Sequence, residues 1–235
     1  MKVLGGLLGL VLLVFFAGVL WPLATPAPGP QPERLLVTDV TIVDVETGGL
    51  QRGQEILIER GVITAIGPAL ATTGATVLDG GGRYVIPGLF DMHVHSYKLA
   101  PALTHPLFVA AGVTAVRDMG GCVGLADAWV ACAEDKRGWD EAVRDGRLVG
   151  PRFDDVTSLA MNGGSEIPAP LDPGLGGATP EGARARVDQA VARGIDFLKP
   201  YNDIPRDSYL ALAEAARRQG LYLAGHLPLT VTGLE

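Results

Sequence analysis

The sequence predicts an α/β fold in which a small unit of short strands precedes a run of parallel strands joined by helices, and three observations carry that expectation. Short β-branched runs broken by glycine occupy residues 35–86. Beyond Pro87 the texture changes, and strand-like runs alternate with helical ones. The helical stretches are what parallel strands need as crossovers, because a tight turn cannot join two strands that run the same way.

Taken from the N-terminus, Lys2 is followed by an apolar run from Val3 to Leu20, the pattern of an export signal. Its length suits a long signal-peptide core or a single membrane span, which needs about 17 to 25 apolar residues. Pro22 and Pro28 spoil the small-x-small cleavage sites that Ala24 and Ala27 would offer. An uncleaved anchor is therefore expected, with the Lys2 end in the cytoplasm and everything after Trp21 outside it, facing the periplasm or exterior; cleavage would instead give a secreted protein. Residues 1–24 are read as this signal peptide or membrane anchor. Residues 25–34, which contain TPAPGPQP, are read as a stiff Pro-rich linker.

Residues 35–86 supply LLVTDVTIVDV, then EILIE and VITAIG joined at Arg60-Gly61, then ATVLD and RYVIPG, a small β-sandwich-like domain. Gly80-Gly81-Gly82 and the Pro87-Gly88 step close it off. Residues 87–235 follow with five strand candidates, LFDMHVH, VTAVRDM, RFDDVTSLAM, IDFLKPY and LYLAGH. A short helix from about Pro106 ends at Gly112. A longer one has Thr179 as N-cap, Pro180 at its first position, Ala183, Val187, Ala190 and Val191 at helical spacing, and Gly194 as its stop. A third runs from about Ser208 to Gln219 and stops at Gly220.

Composition narrows the function classes. With 48% hydrophobic and 19% charged residues in 235, the chain buries a proper core and is not disordered. A net charge of -7 without any basic run longer than two residues argues against nucleic acid, whose phosphates demand clustered Lys and Arg. Cys122 and Cys132 fit no CxxC motif; in an oxidising compartment they form a disulfide or stay as two thiols, and spacing does not decide which.

His93 and His95 flank Val94 in DMHVHS. Residues two apart on a strand share a face, so both imidazoles converge while Met92 and Val94 pack on the other side. Two convergent neutral imidazoles suit Zn²⁺ and similar ions. The pattern alone fits equally well two histidines on a half-buried strand.

VIPGLFDMHVHS resembles the first barrel strand of the amidohydrolase superfamily, and GVTAVRDMGG resembles its second. GIDFLKPY and LYLAGHLP resemble the fourth and fifth strands of its prolidase-like and imidazolonepropionase-like group. The likeness runs from about Leu35 to the end and is weakest over residues 121–180. It implies a partial (β/α)₈ TIM-type barrel, the first five strands, over residues 87–235. It also implies a divalent metal site, by default two Zn²⁺, in which His93 and His95 bind the more buried ion. Lys199, carbamylated, would bridge the pair, and His226 would bind the second. Pro200 departs from the family, which more often has an aliphatic residue there.

Among the remaining candidates, His105 matches no ligand position and is given a surface or capping role. Asp118 would order neighbouring loops, Asp91 would hydrogen-bond one imidazole, and Tyr201 would line the pocket mouth. The family draws a further histidine from its sixth strand and a proton-shuttling aspartate from its eighth. The chain reaches Glu235 before either, so a partial form of a longer protein is expected, inactive by itself and without a catalytic acid or base of its own. The implied reaction is hydrolysis of an amide, cyclic amide or non-standard peptide C–N bond by metal-bound hydroxide. The substrate would be a small molecule or dipeptide-like compound; membrane contact comes through the N-terminal run, and oligomerisation stays open. Two rivals stand beside it, a single-metal deaminase-like site and a catalytically inactive, membrane-tethered binding or assembly module.

Overall fold

A computed structural model of the chain describes residues 9–15, 18, 24–71, 73–122, 128–156 and 177–233. Strand β1 (Arg34–Val43) organises the N-terminal unit. It pairs antiparallel with β2 (Leu50–Glu59), which pairs antiparallel with β3 (Val62–Gly67). On its other edge it pairs in parallel first with β4 (Thr76–Asp79) and then with β5 (Tyr84–Val85). The five strand runs read from the sequence are all present, but the sandwich is not: they form one sheet, because every strand except β3 bonds directly to β1. The handover from β4 to β5 falls where Asp39 takes a positive φ of 49° and Gly80 crosses β1. A Cβ at Gly80 would lie 2.4 Å from Val40 Cγ1 and 2.6 Å from Thr38 O, so only glycine admits this approach.

Later in the chain come three parallel strands, β6 (Leu89–Val94), β7 (Val113–Asp118) and β8 (Arg152–Val156), in that order. A parallel pair, β9 (Phe197–Leu198) and β10 (Tyr222–Leu223), stands apart as a second small sheet. The expected succession of five strands is therefore split three and two, and the barrel is not closed. At the break, Asp196 N donates to Val156 O at 3.2 Å, and the Val156 N–H goes to the Asp196 carboxylate at 2.8 Å. Of the run RFDDVTSLAM, the strand covers Arg152–Val156; residues 157–161 lie outside the described residues.

The helices are α1 (Ala100–Leu103), α2 (His105–Ala110), α3 (Ala133–Arg144), α4 (Pro180–Ala192) and α5 (Arg206–Arg218). Thr179 Oγ1 accepts from Gly182 N at 3.1 Å, the cap the sequence signals for α4. Helix α3 escaped the sequence reading because a fully buried Lys136 stands where an apolar stripe would be sought. Its start is secured instead by Asp135, whose carboxylate accepts from Cys132 N at 2.8 Å, and by a disulfide between Cys122 and Cys132. Val94, Val116 and Phe153 pack under α2 and α3, while Val156, Leu198, Ile204 and Leu212 pack with the alanine face of α4.

Residues 9–15 are helical with exposed apolar side chains, and most of the run Met1–Trp21 lies outside the described residues. Among the described residues no helix is long and apolar enough to cross a membrane.

Candidate metal centre

The C-terminal ends of β6 and β9 bring three of the predicted residues together. His93 Nε2 and His95 Nε2 lie 3.3 Å apart with their rings stacked at 15°, and Lys199 Nζ lies 3.3 Å from His95 Nε2. The pleat explains the first pair, and the step from Leu198, facing the helices, to Lys199 explains the third. Met92 does not pack with Val94 as expected. It is 48% exposed, because β6 is the sheet edge and the cluster around Val94 does not reach it. Asp91 does not reach an imidazole; its Oδ1 accepts from the His93 backbone N–H at 3.0 Å.

His226 stands beyond β10. Its ring stacks on Tyr201 at 4.4 Å, and its Nδ1 is 2.6 Å from Asn202 Oδ1. The amide oxygen can only accept, so Nδ1 is the donor in this contact and Nε2 is the nitrogen left for a metal, the arrangement a metal-ligating histidine needs. Asn202 was missed in the sequence, where nothing in its spacing links it to His226. Among the described residues no group of three or more His, Cys, Asp and Glu side chains is gathered as a ligand set. The convergence is two imidazoles and an amine, with a third imidazole close enough for its charge to act on His93.

Electrostatics favour neutral groups here. Burial, then the charges of Lys199, His226 and Arg117, holds His93 below its ordinary pKa. His95 is lowered by burial and then by Lys199. Lys199, 2% exposed, is lowered by burial, which Asp118 partly opposes, and it makes no ion pair among the described residues.

These features fit a divalent ion. Two nitrogens each about 2.0–2.1 Å from one tetrahedral ion stand roughly 3.3–3.4 Å apart, the separation found between His93 and His95. Without a cation, two lone pairs at that distance must share a single proton. A cavity of about 290 Å³ opens beside His95 and Lys199, walled by Tyr97, Met119, Val130 and Tyr201.

Gly225 sets where Lys199 can lie. A Cβ there would meet Pro200 O at 2.5 Å and Lys199 Cγ at 3.0 Å. Gly225→Ala should therefore push the β9 end aside and cost about 1–3 kcal/mol of stability, read as a lower urea midpoint at unchanged slope. An unshifted midpoint would contradict the close packing. The glycine in LYLAGH was a legible signal of backbone approach.

His105 is neither at the surface nor a cap. It is 0% exposed, packed edge-on to Trp139 at 5.0 Å and against Phe153 at 5.4 Å, with neither ring nitrogen hydrogen-bonded among the described residues. Gly150 makes room for it, since a Cβ there would be 3.1 Å from His105 Cβ. Burial lowers its pKa to about 4. Asp118 does order loops, accepting from Ser96 N at 2.9 Å and Gly120 N at 2.7 Å.

No protein-family model matches the chain. Over 92 residues it is 38% identical to adenine deaminase 2 of Agrobacterium fabrum, a segment covering 38% of this chain and 15% of that protein. Over 91 residues it is 34% identical to a dihydroorotase of Carboxydothermus hydrogenoformans, covering 39% and 20%. Among solved structures, bottromycin amidohydrolase superposes with a TM-score of 0.64 at 24% identity, over 86% of this chain and 40% of that one. A prolidase complexed with N-methylphosphonate-L-proline gives 0.62 at 20%, over 82% and 56%. The chain thus spans roughly half or less of the proteins it matches.

Proposed function

The chain is related to the amidohydrolase superfamily, and on that premise we propose that it serves a metal-dependent hydrolase of amide or cyclic amide C–N bonds in a small or dipeptide-like molecule. The observation that carries this reading is the approach of His93 Nε2, His95 Nε2 and Lys199 Nζ, each 3.3 Å from the next. A divalent pair, when bound, supplies Lewis acidity and lowers the pKa of water towards about 7.

The chain's own residues do the rest. His93 and His95 present neutral imidazoles, and Asn202 turns the Nε2 of His226 outward. Burial lowers the pKa of Lys199 and so favours the neutral amine, the form whose nitrogen can attack carbon dioxide and release one proton to become an anionic carbamate, an oxygen ligand able to bridge two ions. Tyr97, Met119, Val130 and Tyr201 would receive an uncharged part of the substrate. Attachment or export through the apolar N-terminal run belongs to the proposal, and the Cys122–Cys132 disulfide supports an oxidising compartment.

Zinc titration followed by calorimetry tests the reading. The wild type is expected to take up two equivalents, and His93→Ala with His95→Ala should lose the tighter one. Identical binding by the double variant would refute it. The identity to adenine deaminase 2 favours a second reading, deamination at a single metal. Ammonia release from adenine by the zinc-loaded protein, with one equivalent bound, would decide for that alternative.

A further inference from the structure

We propose that Lys136 is a positioning residue: from inside α3 it locks the ends of β6 and β7 through Asp118 and so fixes where His95 stands. The inference rests on the metal-site reading for its purpose and on geometry for its substance.

Lys136 and Asp118 form an ion pair at 2.8 Å with both side chains 0% exposed. Lys136 Nζ also donates to Gly120 O at 2.6 Å. Asp118 Oδ1 accepts from Gly120 N, and Oδ2 reaches across to accept from Ser96 N at 2.9 Å, the residue after His95. Met119 N donates to Val94 O at 2.8 Å, on the other side of His95. The backbone of His95 is thus held from both neighbours by the segment that Lys136 secures. That segment also backs the imidazole, since a Cβ at Gly120 would lie 3.6 Å from His95 Cγ and 3.1 Å from Asp118 Oδ1.

No atom of α3 needs to enter the cavity for this to work. Lys136 acts through the carboxylate and the Gly120 carbonyl, while the disulfide at Cys132 fixes the start of its helix. Energetics favour a positional role over a purely stabilising one. Replacing a buried ion pair by apolar groups is often neutral or stabilising, so a fold seeking stability alone has no need of a charge here. What the apolar alternative lacks is direction: it offers no partner to the Ser96 and Gly120 N–H groups.

The test compares Lys136→Met with the double variant Asp118→Asn, Lys136→Met, which leaves no lone buried charge and folds even where the single change does not. Leu212→Ala, a core truncation in α5, controls for lost stability. Histidine-labelled protein is read by NMR, the four histidines being assigned by single replacements, and zinc affinity is read by titration. In both Lys136 variants the His95 ring signals are expected to shift and broaden while those of His226 stay, with zinc Kd raised about tenfold or more. Leu212→Ala should leave His95 and the Kd unchanged within a factor of three. Unmoved His95 signals in the Lys136 variants overturn the proposal, as does an equal disturbance by Leu212→Ala. If the wild type binds no zinc but His95 still moves, the positioning role stands and the metal reading falls.

Discussion

Replacing Lys199 by alanine is expected to remove the second metal equivalent and at least 100-fold of any C–N hydrolase activity of the full-length protein, a loss at or above that typical of disturbing a metal's supporting residues. The reason lies in what the amine alone can become. Its nitrogen, buried and held 3.3 Å from His95 Nε2, is the atom that would carry a carbamate across two ions. Short carboxylic acids added to Lys199→Ala should restore some of the activity by placing an oxygen pair in the vacated space. Lys199→Arg should not, because a guanidinium stays charged and cannot form the carbamate. Metal analysis of the purified variants gives the first readout and rescue kinetics the second. Two equivalents retained in Lys199→Ala would remove the lysine from the ligand set.

His105→Leu is expected to change how stability depends on pH. The imidazole titrates near 6.5 in an unfolded chain and at about 4 in the fold, where burial disfavours its charged form. Between those values the unfolded state binds more protons, so stability falls as pH drops from about 6.5 towards 4. The cost is roughly 2 to 3 kcal/mol between pH 7 and pH 4.5. Leucine has no proton to gain, so the variant should be less acid-sensitive by that amount. Urea unfolding of both proteins at the two pH values isolates the difference, since carboxylate contributions are common to both. Parallel losses would mean that the ring is hydrated or hydrogen-bonded in the folded protein.

What the sequence revealed and what it hid divide along physical lines. Local signals were readable: the β-branched runs gave all five strands of the first sheet, and Thr179-Pro180 with Gly194 gave the limits of α4. The HxH spacing put two imidazoles on one face because the strand period is two. Non-local facts were hidden. Nothing near Asp196 announces that its carboxylate would take the Val156 N–H, or that β8 and β9 would lie in separate sheets. Lys136 in a polar run reads as solvated surface until Asp118, 18 residues earlier, is found beside it. His105 reads as surface for the same reason, since Trp139, Phe153 and Gly150 reach it only through the fold.

The most direct measurement is a crystal structure of the zinc-soaked protein with anomalous diffraction at the zinc edge. A peak about 2.0–2.1 Å from both His93 Nε2 and His95 Nε2, with a second ion beside Lys199 and His226, is the predicted result. Zinc bound elsewhere, with the two histidine nitrogens sharing only a proton, would contradict it.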